Sequence, residues 1–159
     1  MELRYLTPLT PEEQLAQGLA TPQPLAMADR VRFSELDNQN HVNNKAYMDW
    51  FERVRIEHLD RVIVPRYAPG PAPRVALHSA TIRYRKEMLA GEPYIATARV
   101  VAFRSSSFTL EQQIWSNDLR ATLDAVMVML RPDGSGARYP LPEALRTHLE
   151  TEEGARRDA

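Results

Sequence analysis

Ser34-Glu-Leu-Asp-Asn-Gln-Asn-His-Val-Asn-Asn-Lys-Ala-Tyr-Met-Asp-Trp-Phe-Glu52 is the stretch on which the fold turns. Eight consecutive positions, Asp37 to Asn44, hold four asparagines, one aspartate and one histidine. Asn and Asp side chains bond to nearby backbone groups, so such a cluster favours turns and helix starts over helix or strand interiors. Beyond it Tyr47, Trp50, Phe51, Val54 and His58 recur at helical spacing, which predicts a helix over about 44–60 with a wide apolar stripe. Asn43 or Asn44 suits its N-cap. The residues alone thus describe a polar turn leading into a capped amphipathic helix.

Outward from this stretch the hydrophobic period changes. Residues 27–36 are expected to form a first strand, with Val31 and Phe33 on one face. After the helix, VPRYAPGPAP carries four prolines and a glycine and predicts a non-helical loop. The period then moves towards two. Residues 74–87 place Ala76, Ala80, Ile82 and Tyr84 on one face, and 93–103 are β-branched and aromatic. Residues 106–116 alternate Phe108, Leu110 and Ile114 with Thr109, Glu111 and Gln113, and 120–131 are mostly apolar. Ala90-Gly91-Glu92, Arg104-Ser105 and Asn117-Asp118 are links of hairpin type. Leu141 to Leu149 suits a short closing helix.

The predicted class is α+β: a five-stranded antiparallel sheet wrapped around one long central helix, which is the only long amphipathic element available to cover the sheet. The domain is expected over 26–150. Residues 1–25 form an N-terminal extension in which Thr10-Pro11-Glu12-Glu13 resembles a capping box opening a short helix that ends near Gly18. Its prolines keep it out of the sheet, and it is expected to pack outside and cover part of a pocket. Residues 151–159 read as a polar, frayed tail. A single curved sheet leaves edges open, so a homodimer or homotetramer is expected.

Composition narrows the function. The 159 residues are 43% hydrophobic, enough for one domain with a real core. The 20 Lys and Arg nearly balance 21 Asp and Glu, so nothing favours nucleic acid or an anionic membrane as the main partner. Cysteine is absent, which excludes disulfides, thiolate metal ligands and a cysteine nucleophile. His41, His58, His78 and His148 lack metal-motif spacing, so no metal is expected. MELRYLTPLTPEEQ has no apolar core of signal-peptide length, and no run approaches the ~18 apolar residues of a membrane span, so a cytoplasmic setting is expected.

Val31-Arg-Phe33, Leu36-Asp37, His41-Val-Asn-Asn44, Tyr47 and Trp50-Phe-Glu52 together resemble the thioesterase signature of the hotdog fold. The nearest group is the 4-hydroxybenzoyl-CoA thioesterase-like acyl-CoA thioesterases, with kinship to plant acyl-ACP thioesterases. RYRKEMLAGE and RSSSFTLEQQI sit where that family ends its second strand and turns from its third strand to its fourth. The likeness spans about residues 26–149, and HVNN-x-x-Y-x-x-W-x-E is its most specific part. Two positions depart from the family. Asn40 stands where glycine often precedes the histidine; asparagine is the side chain most tolerant of positive φ. Gln39 stands where the plant enzymes have asparagine, so no asparagine role carries over to it.

The resemblance implies hydrolysis of acyl-CoA, or of acyl-ACP, with no metal or organic cofactor. Asp37 is implied as nucleophile or general base, the backbone N–H of Asn44 as the donor to the thioester oxygen, and His41 as an orienting or proton-transfer group. Asn43, Tyr47, Arg104 and Ser106 are the candidate substrate-binding residues, and the acyl group is expected in a tunnel beside the helix, at the protomer interface.

Elementary chemistry is compatible with these roles. A carboxylate ahead of a helix start stays ionised, and the first helical N–H groups lack internal partners and can meet a developing oxyanion. The plainer reading of Asp37 is a turn aspartate bonding its own backbone. The serines at 105–107 lack a G-x-S-x-G elbow and suit a turn. A hydratase and a non-catalytic acyl-CoA-binding protein are the rival readings; HVNN argues against the first and Asp37 against the second.

Overall fold

The computed structural model describes residues 1–158. The chain runs α1 (Pro11–Ala16), β1 (Leu25–Arg30), α2 (Asn44–His58), β2 (Arg74–Tyr84), β3 (Pro93–Phe103), β4 (Ser107–Ser116), β5 (Asp118–Leu130), α3 (Glu143–Glu152) and β6 (Arg156–Arg157). The expected five strands form one antiparallel sheet in the order β1-β3-β4-β5-β2, and the two-residue β6 adds a parallel pairing to β3. Side chains alternate across a strand, and β4 shows it residue by residue: Phe108, Leu110 and Ile114 are buried, whereas Thr109, Glu111 and Gln113 are only partly so. Against that apolar face α2 lays Tyr47, Trp50, Phe51 and Val54, each no more than 4% exposed. The sheet wraps the helix, as in the hotdog fold.

The two sheet edges are treated differently. Beside β1 the extension runs as a guard, with Leu6 N–H donating to Ala28 O and Leu9 N–H to Ala26 O, both at 2.9 Å. Its Leu9 and Leu19 pack on Ala26, Ala28 and Ile95, on the opposite sheet face from α2. The Thr10 capping box forms, and Gly18 takes φ +96° just past α1. Burying two leucines contributes about 3–6 kcal/mol. Deleting residues 1–24 should therefore leave a folded protein that melts at lower temperature and aggregates more readily on heating. A fully unfolded product would show that the extension belongs to the core.

At the other edge, β2 is exposed along most of its length. A bulge between Leu77 and Ser79 changes its alternation: Ala76 pairs with Val128, but Ala80, Ile82 and Tyr84 pair with Ala125, Leu123 and Ala121. Directly paired residues share a face, so Ala76 lies on the outer face and the other three on the helix side, correcting the expected single face.

Other boundaries also move. The first strand ends at Arg30 rather than 36; Val31 is buried, but Phe33 is 90% exposed on a 3₁₀ turn over Phe33–Glu35. The turn wins because Glu35 Oε1 captures the Arg32 N–H at 2.8 Å, locking backbone that alternation alone assigned to a strand. After His58 the chain widens into a π turn over Leu59–Ile63 and tightens into a 3₁₀ turn over Val64–Tyr67. Pro65 is tolerated because it opens this turn, where its missing N–H costs nothing. Residues 151–158 of the expected tail are not frayed, Ala159 lying outside the described residues: Glu153 is 3% and Ala155 7% exposed, and β6 pairs with β3.

Candidate active site

The Asp37–Asn44 cluster folds as a tight loop closed on itself. Asp37 N–H donates to His41 O at 2.7 Å, and Asn40 takes φ +62°, the left-handed conformation that its departure from glycine had to tolerate. Asp37 Oδ1 accepts from the N–H of Gln39 at 2.8 Å and of His41 at 3.1 Å. The plain turn role of Asp37 is therefore real. It uses Oδ1 for both bonds, so the carboxylate is oriented by one oxygen and leaves Oδ2 for other chemistry.

The loop feeds directly into α2. Asn43 is the N-cap: its side chain accepts from Ala46 N–H at 3.0 Å, and its own N–H donates to Glu35 O at 2.8 Å. Asn44 is the first helical residue, so its N–H has no intrahelical acceptor. The first turn carries no acidic side chain, and Lys45 sits in it. Helices usually stabilise this end with Asp or Glu; here the positive end is left open to an anion. Trp50, one turn and a half further on, donates from Nε1 to Glu35 Oε2 at 2.7 Å and stacks on Tyr94 with ring centroids 4.1 Å apart.

The other expected site residues divide. The His41 imidazole pairs through Nδ1 with Glu87 Oε2 at 3.2 Å, so what reaches Asp37 is the backbone of His41. Tyr47 is 4% exposed, wedged between the rings of Trp50 and Tyr84, and burial pushes its phenol above the ordinary value. Within one chain it is a core residue. Arg104 and Ser106 are remote from the helix start; with His78 and Arg138 they line a separate hollow of about 410 Å³ at the β3–β4 turn. There the serine carbonyls serve the fold, Ser105 O accepting from Leu141 N–H and Ser106 O from Met129 N–H. A larger open groove of about 780 Å³ flanks the helix start and is lined by Asn43, Lys45, Glu35, Arg32 and Arg53. Among the described residues, no group of three or more His, Asp or Glu side chains is placed to hold a metal ion.

Glu35, Glu87 and Arg120 belong to the surroundings of the site and carry no sequence signal. Their partners are side chains and carbonyls 15, 46 and 33 residues away, in contacts that only the fold creates.

An antiparallel sheet wrapped around one helix defines a hotdog protein. Residues 31–149 match the thioesterase-like superfamily, and the chain belongs to that family. A thioesterase-superfamily protein from Jannaschia sp. CCS1 is 41% identical, with TM-score 0.88 over 98% of this chain and 99% of that one. A thioesterase from Thermus thermophilus, solved in complex with coenzyme A and zinc, is 28% identical, with TM-score 0.70 over 83% of this chain and 96% of that one. Protein THEM6 of Danio rerio is 30% identical over 87 residues, which are 55% of this chain and 43% of that relative's length. The chain thus matches less than half of THEM6. Among the described residues, no helix is long and apolar enough to cross a membrane.

Proposed function

We infer that the protein hydrolyses acyl-CoA to a free acid and coenzyme A. The observation that carries this reading is the Asp37 carboxylate, fastened by Oδ1 to two backbone N–H groups beside a helix start that has no acidic side chain in its first turn. Asp37 either attacks the thioester carbonyl carbon, expelling the coenzyme A thiolate and leaving a mixed anhydride for water to open, or takes a proton from the attacking water. The Asn44 N–H is the donor to the oxygen that gains charge. His41 orients Asp37 through its backbone. Coenzyme A is favoured as carrier because the Thermus relative was solved with it. A thiol-release assay over acyl-CoA esters of varied length and aromaticity, with an acyl-ACP arm, tests the reading; no release from any of them would overturn it.

The working unit is a homodimer or a dimer of dimers. Asp37 is exposed in a single chain, whereas a hydrolytic site works best when bulk water is excluded and only the attacking water is admitted. The extension blocks the β1 edge, whereas Ala80 and Tyr84 stay exposed on the helix side of β2. A second copy at the β2 edge covers that surface and completes the acyl tunnel, with Asn43 and Tyr47 on one wall and the Arg104–Ser106 turn along the coenzyme A path. Light scattering at micromolar concentration is expected to give at least twice the chain mass; a stable, active monomer would refute this assembly.

A further inference from the structure

Arg120 is a buried arginine that the mechanism above does not use. Its side chain is 7% exposed, and all its polar contacts except one to Asp118 fall on the connection between β2 and β3, residues 85–92. Nη1 donates to Glu87 O at 2.7 Å, to Glu92 Oε2 at 3.0 Å and to Met88 Sδ at 3.4 Å. Nε donates to Asp118 Oδ1 at 2.6 Å, and Asp118 Oδ2 holds Lys86 Nζ at 3.0 Å. The Arg120 carbonyl accepts from the N–H of Arg85 at 2.8 Å and of Lys86 at 3.2 Å.

The sheet has a local irregularity that allows this. Along β4 and β5, Ile114 pairs with Ala121 but Trp115 pairs with Leu119, so Arg120 is the extra residue of a bulge. A bulged residue leaves the strand alternation, and its side chain is re-aimed. Here a long, planar, five-donor side chain is turned into the protein, where two of its nitrogens reach a carbonyl and two carboxylates, a rigid fork that lysine lacks.

The opposite side of the same connection is the wall of the Asp37 loop. Val42 N–H donates to Met88 O at 3.1 Å, Leu89 bridges to His41, and Glu87 Oε2 holds the His41 imidazole. His41 in turn gives its N–H to Asp37 Oδ1. Arg120 therefore stands behind the carboxylate with two residues, Glu87 and His41, between them, and does not touch it.

We propose that Arg120 is a positioning residue for the reaction: it holds the 85–92 connection at the height that sets His41 and Val42, and through them the orientation of Asp37. The proposal rests on Asp37 being the reacting group. A displacement of about 1 Å at a reacting centre can cost ~10²-fold in rate, so Arg120→Met should lower kcat by ~10–100-fold with KM nearly unchanged.

Three readouts separate positioning from general weakening. Leu149→Ala, in the remote α3 core, should lower the melting temperature and leave kcat unchanged. Combining Arg120→Met with Asp37→Asn should lower kcat no further than Asp37→Asn alone, because both changes act through one carboxylate. Hydrogen exchange at the Val42 amide should speed by ~10-fold or more in Arg120→Met, while the amides of β4 keep their protection. Arg120→Lys, which keeps the charge, serves where Arg120→Met does not fold, and should show the same pattern in weaker form. Normal kcat in Arg120→Met, or a full further loss in the double variant, would overturn the proposal. If the wild type cleaves no thioester, the functional reading fails by itself, and Val42 exchange still judges the coupling: unchanged exchange refutes it.

Discussion

Asp37→Asn is expected to lower kcat at least ~10²-fold, the lower range for a positioned base, while melting temperature and acyl-CoA binding stay close to wild type. The geometry makes this substitution unusually clean. Both backbone N–H groups bond to Oδ1, and the asparagine carbonyl oxygen can accept the same two bonds. The turn survives; only basicity and nucleophilicity are lost. Asp37→Ala removes the turn as well, so it should combine the rate loss with a stability loss of about 1–2 kcal/mol from two unpaired N–H groups that water partly satisfies. Repeated turnover in ¹⁸O-labelled water probes the two chemical routes: label in Asp37 indicates an anhydride opened at the Asp37 carbonyl, whereas label confined to the product acid favours a general base. Wild-type turnover by Asp37→Asn would leave this carboxylate a turn former and nothing more.

The largest stability effect is expected at Trp50. It is 1% exposed, stacked on Tyr94, 5.1 Å from the Tyr47 ring and bonded to Glu35. Trp50→Ala removes a large buried ring and should cost about 3–5 kcal/mol, a sizeable share of the ~5–15 kcal/mol that holds a typical domain together. Trp50→Phe keeps most of the apolar area but strands Glu35 Oε2, and should cost roughly 1–3 kcal/mol. Glu35 also receives the Asn43 N–H at its carbonyl, so both variants should loosen the helix start and lower activity more than their stability loss alone explains. Urea unfolding at fixed protein concentration measures the two costs. Equal midpoints for Trp50→Ala and wild type would show that the aromatic wedge does not carry the core.

Much of this protein was readable from its residues because the deciding patterns are local. Helical spacing from Tyr47 to His58 and the preceding asparagines set the start of α2 at Asn44, since capping and amphipathicity act within a turn or two. β-Branched and aromatic content identified β3 at its observed limits, and period-two alternation and a mostly apolar run identified β4 and β5 within two residues. The capping box at Thr10 formed as its four residues predict. Alternation misplaced Phe33 and Ala76, where a captured N–H and a bulge changed the backbone, because neither leaves a mark in the pattern of apolar residues.

The tertiary structure alone decided which distant groups meet. His58 looked like one more member of the helix stripe, yet it is fully buried against Glu153 at 2.8 Å, across 95 residues, and Val100 N–H also donates to that carboxylate. A buried charge must find such partners or pay for its lost hydration, which is why the C-terminal segment is tied down although its composition reads as a solvated tail. Arg120 sits in a run that reads as plain strand, and only the bulge turns it towards the connection behind Asp37. Propensity and periodicity are properties of neighbours in the chain, whereas pairing, burial and the aim of a bulged side chain are properties of neighbours in space.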